Sequence, residues 1–510
     1  MTPRRQTLFS ALVGAVAAVA TLGVAELLAL FVAAGSSPLA AVGSFVIDIV
    51  PPWVKDAAIA LFGTGDKIAL LAGLGLLVLL LALGIGILQY RRPPLGAVAL
   101  GVVGVVALTT AVTRAQASPL WAMPTVVGAA VGILVLVVGT QRLHGWVDAP
   151  ATPAPTGLSR RRFVTLLGAT TASALVVGIT ARVVNAATSA VNVVREALVI
   201  PPPQSPAPPV PAGATLDVEG LSPLFTPNAD YYRIDTALQV PRVDTQNWRL
   251  RITGMVEQEV EISLDELLAL PLIETAVTLA CVSNEVGGGL IGNAMWTGYP
   301  IRSLLERAKP LAKADMVLSR SVDGFTASTP LDVLTDERDA IFAVSMNGEP
   351  LPLEHGFPVR MVVPGLYGYV SATKWVTELK LTRFADETAY WTTRGWDALG
   401  PIKTSSRIDV PRGPVSAGTV AVAGVAWAQH TGIEAVEVRV DNGPWRKAEL
   451  AEAVSVDTWR QWLYSWDAEP GDYVLQVRAT DASGFTQSGT EVFIAPNGAE
   501  GYHTIDVQVS

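Results

Sequence analysis

Residues 346–375 read MNGEPLPLEHGFPVRMVVPGLYGYVSATKW. Within this run Pro358–Gly365 is β-branched, apolar and closed by Pro-Gly, as a short buried strand would be. Ser371–Phe384, SATKWVTELKLTRF, contains a second strand. Three basic side chains punctuate the run: His355, Arg360 and Lys374. Taken singly they read as a turn histidine, a strand-edge ion pair and a solvated charge.

The pattern on either side is mixed α and β. Asn247–Gly254, NWRLRITG, alternates as a strand, and Ser263 with Glu266 three residues on makes a capping box for a short helix. Glu274–Val282, ETAVTLACV, reads as a buried strand with Cys281 at or near its end, and Asn284–Gly292, NEVGGGLIG, follows as a flexible turn. Downstream of Arg407 the texture becomes short alternating strands. Val436, Val438 and Val440 alternate with charges before an Asn442-Gly443 turn, and Tyr473, Leu475, Val477 and Ala479 share a face. About 100 such residues predict a β-sandwich of immunoglobulin type.

The N-terminal part is different. Five segments are near the ~20 apolar residues needed to cross a bilayer: Thr7–Ala33, Ile68–Tyr90, Leu95–Thr113, Leu120–Thr140 and Phe163–Val184. Pro38–Val50 is apolar but short and reads as re-entrant or interfacial. Threading five spans puts Arg4, Arg5, Arg91, Arg92, Arg142 and Arg160 to Arg162 on one side, against Lys55, Lys67 and Arg114 on the other. The positive-inside bias then leaves the N-terminus in the cytoplasm and everything after residue 190 outside. Among the apolar helices Glu26 is an isolated acid, and His144 stands alone, which argues against a bis-histidine haem. Ser159–Gly178, SRRRFVTLLGATTASALVVG, resembles a twin-arginine export signal, a route that carries folded, cofactor-loaded proteins. Pro201–Gly213 is dense in proline and predicts a semi-rigid spacer.

Composition narrows the function. The 510 residues call for two to four domains, and the net charge of −9 gives no support to nucleic-acid binding. A single cysteine excludes an intrachain disulfide framework and any Cys-rich zinc or iron–sulfur site. No haem-attachment C-x-x-C-H occurs. Cys281 has three readings on its own chemistry: an inert core residue, a nucleophile with His355 as base, or a thiolate donor to one metal whose other ligands come from a cofactor. The export signal favours the third.

From about Phe225 to the C-terminus the sequence resembles the sulfite oxidase family of molybdenum enzymes, in particular its bacterial membrane-anchored or exported members. The resemblance is carried by TPNADYYRIDTALQVPRVDTQNWRLRITG (Thr226–Gly254), by TLACVSN around Cys281 and above all by residues 346–375. With the spans, signal and spacer read above, the expected architecture is an α-helical transmembrane anchor of four spans (1–145), a signal with the fifth helix (157–190), a linker (200–213), an α+β domain (214–405) and an immunoglobulin-like sandwich (406–510); the resemblance implies that the α+β domain binds molybdopterin and that the sandwich is of dimerisation type. Cys281 would ligate molybdenum held by molybdopterin. His355, Arg360 and Lys374, with the backbone of Ala372 and Thr373, would contact the pterin and its phosphate. Asn228 and the segment Tyr232, Arg233, Asp235 and Thr236 would line the pterin near the metal. The glycines after Cys281 would let backbone approach the cofactor.

The sequence also departs from the family. Arg233-Ile234-Asp235 stands where animal and plant sulfite oxidases have Arg-Asn-His, and Trp396 takes the place of the family's metal-side tyrosine. That leaves Arg233, Arg394 and Arg407 as candidates to hold substrate. The reading implied is oxygen-atom transfer on a small substrate, by sulfite oxidation or sulfoxide-type reduction, with electrons exchanged with a separate cytochrome or quinone-linked protein. The rivals are a receptor or scaffold that keeps the fold without cofactor, and a cysteine hydrolase using Cys281 and His355. The topology has its own test. A protease added outside intact cells is expected to reach the Pro201–Gly213 stretch and the chain beyond it, and full protection of that part would reverse the assignment of sides.

Overall fold

The computed structural model describes residues 2–51, 54, 61, 66–114, 117–147, 165, 168, 172 and 190–510. The expected export signal and fifth span therefore lie almost wholly outside the described residues. The chain divides into two units, Met1–Ala190 with Thr236–Arg242, and Val191–Asp235 with Val243–Ser510.

The first unit is helical: α1 (Pro3–Val32), α2 (Pro38–Ile49), α3 (Asp66–Arg91), α4 (Leu95–Val112) and α5 (Ala122–Val147). Four stretches, Pro3–Val32, Ala69–Arg91, Leu95–Val112 and Pro119–Val147, are long and apolar enough to cross a membrane. The 12-residue α2 is about 18 Å long, well short of the ~30 Å hydrocarbon core. Small residues let the helix backbones touch. A Cβ on Gly14 would meet the Ala82 carbonyl, one on Gly86 the Ser10 carbonyl, and one on Gly132 the Thr21 side chain. The polar groups have partners. Ser37 donates to Glu26 at 2.5 Å while capping α2, Gln89 accepts from the Ala97 amide, and His144 bonds the Thr140 carbonyl and stacks on Tyr90.

The second unit opens with α6 (Ala190–Ala197), whose Arg195 bonds the carbonyls of Pro350 and Leu351. The proline-rich stretch differs from the expected spacer. Ser205 pairs in parallel with Ile273, the Ala207 amide meets Glu274, and the Gly213 carbonyl accepts from Glu452. Proline forbids a central strand, yet the amides between the prolines suffice for an edge, so the stretch lies along this unit.

One sheet comprises β1 (Arg249–Gly254), β2 (Val260–Ser263), β5 (Met316–Ser321), β6 (Thr326–Pro330) and β10 (Val376–Thr382), in the order β2-β1-β10-β5-β6. The other comprises β3 (Ile273–Ala280), β4 (Ile291–Pro300), β7 (Ile341–Met346), β8 (Glu349–Pro350) and β9 (Arg360–Val362), with β9 against β7. Short helices α7 (Leu264–Leu268), α8 (Ile301–Ala308), α9 (Leu331–Thr335) and α10 (Gly368–Ser371) join them. The capping box forms as predicted at the start of α7, with Ser263 and Glu266 bonding each other's amides. A core of Val277, Leu279, Trp296, Ile341, Ala343, Phe357 and Val362 fills the sheet that carries the site.

Beyond residue 405 there are two four-stranded sheets. β11 (Ser405–Val410), β12 (Gly418–Trp427), β16 (Arg460–Ala468) and β15 (Glu449–Leu450) form one, in that order. β14 (Arg446–Lys447), β13 (Ile433–Val440), β17 (Gly471–Asp481) and β18 (His503–Val509) form the other. One apolar core joins them, with Val422, Trp462 and Trp466 from the first sheet and Val436, Val438, Leu475, Val477 and Val507 from the second. Strand β17 buries Leu475, Val477 and Ala479 on the face predicted from their alternation. Leu475 is fully buried, so Leu475→Ala is expected to cost about 2–5 kcal/mol. A shift of that size in the urea transition of the C-terminal sheets checks it.

Candidate functional site

Strand β3 is buried along its last six residues, and Cys281 follows immediately, itself buried. The chain then turns. The Cys281 amide donates to the Leu290 carbonyl, the Asn284 amide donates to the Cys281 carbonyl, and the Asn284 side chain accepts from the Leu290 amide. The glycines have a packing role of their own. Gly287 has φ +76°, and a Cβ there would lie 2.1 Å from the His503 ring. Arg407 donates to the Gly288 carbonyl at 2.7 Å. The glycine turn therefore makes room for the C-terminal sheets. Burial raises the Cys281 thiol pKa, and bonds to Ser283 partly offset this. A coordinated metal would deprotonate the thiol outright.

Aromatic rings connect the cysteine strand to the run at residues 346–375. The Tyr231 hydroxyl donates to the Gly292 carbonyl at 2.8 Å. Its ring stacks on Tyr232 at 5.3 Å and meets His355 and Trp296 edge-on at 5.6 and 5.9 Å. His355 is buried, and its pKa is pushed down to about 3 by burial and by the charges of Arg360, Lys374 and Arg233; a bond to the Asn228 backbone opposes the shift. The imidazole is therefore neutral. Asn228 also bonds the Met346 carbonyl and the Asn347 side chain.

Arg360 begins β9 and is 5% exposed. Its guanidinium donates to the carbonyls of Met361 and His355 and lies 5.1 Å from the Trp296 ring centroid. Among the described residues no carboxylate pairs with it. Lys374 has a different environment. Its ammonium donates to Asp235 at 2.7 Å and to the Glu354 carbonyl at 3.0 Å. Burial pushes its pKa down to about 8 against the pull of Asp235. The same Asp235 oxygen accepts from Arg233 at 2.9 Å, so one buried carboxylate serves both cations.

The remaining expected residues divide. Ala372 packs beside Tyr231, Tyr232 and Leu353. The Thr373 hydroxyl is taken up by Ser319 at 2.7 Å, and its carbonyl by the Met361 amide. Thr236 falls in the segment that packs with the helical unit. Trp396 lies against Tyr369 and Trp391, at 5.9 and 6.2 Å. Tyr232 and Tyr367 are buried, which raises the pKa of both phenols, and a charge on Cys281 would raise them further. Tyr367 escaped the sequence reading. Its signal is the neighbouring Gly368, where a Cβ would sit 3.8 Å from the Ala280 carbonyl, so this turn lies against the end of the cysteine strand.

These residues fit a pterin cofactor carrying a metal and a phosphate. Among the described residues no group of three or more His, Cys, Asp or Glu could hold a metal. A metal at Cys281 therefore needs most of its donors from a cofactor. A buried guanidinium without a counter-ion calls for an anion, and phosphate suits its planar fork of donors.

Comparison with known proteins agrees. Residues 237–391 match the family model of the oxidoreductase molybdopterin binding domain. The chain is 29% identical over 302 residues to human (Homo sapiens) mitochondrial sulfite oxidase, covering 50% of this chain and 55% of that protein. It is 30% identical over 271 residues to the Mus musculus protein, covering 44% and 49%. It is 31% identical over 157 residues to the uncharacterized oxidoreductase YuiH of Bacillus subtilis (strain 168), covering 31% of this chain and 76% of that one. The chain thus spans about half the length of the mammalian proteins it matches. Among solved structures, the sulfane dehydrogenase SoxCD from Paracoccus pantotrophus shares the fold, with a TM-score of 0.50 at 24% identity, over 57% of this chain and 82% of that one.

The neutral histidine gives a pH test. Folded His355 takes up a proton only near pH 3, whereas the unfolded chain takes it up near 6.5. Between those values the unfolded state binds more protons, so stability falls as pH falls. In cofactor-free protein, His355→Gln is expected to flatten that loss, read as the urea midpoint against pH. An unchanged slope would show that the imidazole is not held neutral.

Proposed function

We propose that this chain, which belongs to the sulfite oxidase family of molybdopterin-binding oxidoreductases, catalyses two-electron oxygen-atom transfer on a small substrate from a membrane anchor. The observation that carries the reading is the pairing of a buried lone cysteine with a buried arginine that lacks a carboxylate, in one aromatic-walled site. Cys281 would bind the metal as thiolate. Arg360 would take the cofactor phosphate, and Lys374 would reach the pterin from beside Asp235. Neutral His355 and Asn228 would bond the pterin edge, and Tyr231 and Tyr232 would keep water from it. Bound molybdenum-molybdopterin supplies the exchange of an oxygen atom and two electrons.

The overall reaction runs in one of two directions. In sulfite oxidation, water supplies the oxygen, and two protons and two electrons are released. In reduction of a sulfoxide-type oxide, the oxygen leaves as water and the same electrons are consumed. Electrons would pass to or from a separate cytochrome or quinone-linked protein. The four long apolar helices support a multi-pass anchor. With the fifth span and the twin-arginine-like signal of the sequence, the catalytic part would lie outside the cytoplasm. The two C-terminal sheets around one core support an immunoglobulin-like sandwich, through which a homodimer would form. A cofactor-free scaffold is less well supported, since Cys281, His355 and Arg360 are all retained and assembled.

Elemental and pterin analysis of purified full-length protein tests the reading. Stoichiometric molybdenum is expected, with metal lost in Cys281→Ser and bound pterin reduced at least tenfold in Arg360→Leu, on the scale of a lost charge-assisted bond. Native protein with neither metal nor pterin would sink the proposal.

A further inference from the structure

Five arginines gather at one end of the helical unit. Arg4 and Arg5 stand in the first turn of α1, Arg91 ends α3, Arg92 follows it, and Arg142 lies near the end of α5. All five are exposed. Side-chain contacts bring the three helix ends to one level. Arg91 donates to the Thr7 hydroxyl at 3.4 Å, Phe9 meets Trp146 edge-on at 5.2 Å, and Tyr90 stacks on His144 at 4.2 Å. At 1.5 Å of rise per residue, that register keeps the five arginines within about 12 Å of one another along the helix axes.

No carboxylate answers them. From Thr2 to Ala25, and from Lys67 to Val147, the sequence has neither Asp nor Glu. The opposite end of the unit is different. There Arg114 pairs with Asp48 at 2.6 Å, and Glu26 accepts from Ser37. Like charges crowded at one end repel one another, and an anion shared among them relieves the repulsion. Guanidinium forks match phosphate oxygens, and basic clusters at the ends of a membrane bundle suit phospholipid head groups.

Two further features fit a lipid. The rings of Phe9, Tyr90, His144 and Trp146 lie just beneath the arginines, at the level where aromatic residues mark a membrane interface. On α1, Arg4, Leu8 and Leu12 follow one another at four-residue spacing, so they share a face, and both leucines are exposed. A phosphate at Arg4 and an acyl chain along Leu8 and Leu12 would belong to one molecule.

We infer that this end of the helical unit binds the head group of an anionic phospholipid. A head group with two phosphates matches five guanidinia better than one with a single phosphate. The inference rests on the membrane-anchor reading above and adds a ligand to it.

The test uses full-length protein, purified in detergent and stripped of lipid, with lipid binding read by native mass spectrometry. Cardiolipin, with two phosphates, is expected to bind at least tenfold more tightly than zwitterionic phosphatidylcholine, with singly charged phosphatidylglycerol between them. Replacing both Arg91→Gln and Arg92→Gln should lower cardiolipin affinity about tenfold or more, as the loss of a charge-assisted bond would. Arg4→Gln with Arg5→Gln is a second, independent variant with the same expectation. Arg114→Gln, at the other end, should leave the affinity unchanged. Equal affinity for the three lipids overturns the inference, as does unchanged cardiolipin binding in both double variants. Inorganic pyrophosphate that binds as tightly as cardiolipin would make this a site for a soluble anion and overturns it too. Fractionation of the same cells separates the failures. Protein that stays in membranes through a carbonate wash but shows no lipid preference refutes this inference alone. Protein recovered without detergent refutes the anchor reading and this inference with it.

Discussion

A guanidinium shut away from water without a carboxylate is costly to build, and Arg360 is in that position. It cannot escape by losing its proton, as a buried lysine can. Two backbone carbonyls and the face of Trp296 compensate for part of the lost hydration. The rest requires an anion, and the surrounding chain keeps the other anions away. Asp235, the nearby buried carboxylate, is held by Lys374 and Arg233. Gly356, at φ +115°, lets the turn from His355 fold back over Arg360, where a Cβ would stand 2.9 Å from the arginine's own. Burial, reinforced by the same positive charge, keeps His355 neutral.

The cysteine is fixed from the other direction, by the C-terminal sheets. The Thr278 amide donates to the Asp457 carbonyl, its hydroxyl accepts from the Trp459 amide, and its carbonyl accepts from Gln429. Trp459 also bonds the Leu224 carbonyl. Three residues further along, just past the end of the strand, is Cys281. Arg407 and His503 then close on the glycine turn that follows it. The C-terminal sheets therefore form part of the wall that positions the thiol.

Much of this was legible in the sequence, because local rules govern it. Alternation gave β1 and β17, the Ser263–Glu266 pair gave α7, and runs of apolar residues gave the four long helices. The packing roles of the proline-rich stretch and the glycine turn were not legible there, for one reason. Their composition speaks of local stiffness or freedom, while their roles are set by distant partners, Ile273 and Glu452 for one, His503 and Arg407 for the other.

By itself the sequence determined that this chain has an apolar helical part and a mixed α and β part, that its one thiol ends a buried strand, and that His355, Arg360 and Lys374 belong to one run. It could not say which of those charges is free. Lys374 and Arg360 look alike in sequence, and only the fold brings Asp235 to one of them and withholds it from the other. Likewise the sequence pointed to Trp396 and passed over Tyr367, whereas the turn at Gly368 puts the tyrosine's segment against the cysteine strand. Charge matching and close approach are properties of pairs distant in sequence, so tertiary structure decided them.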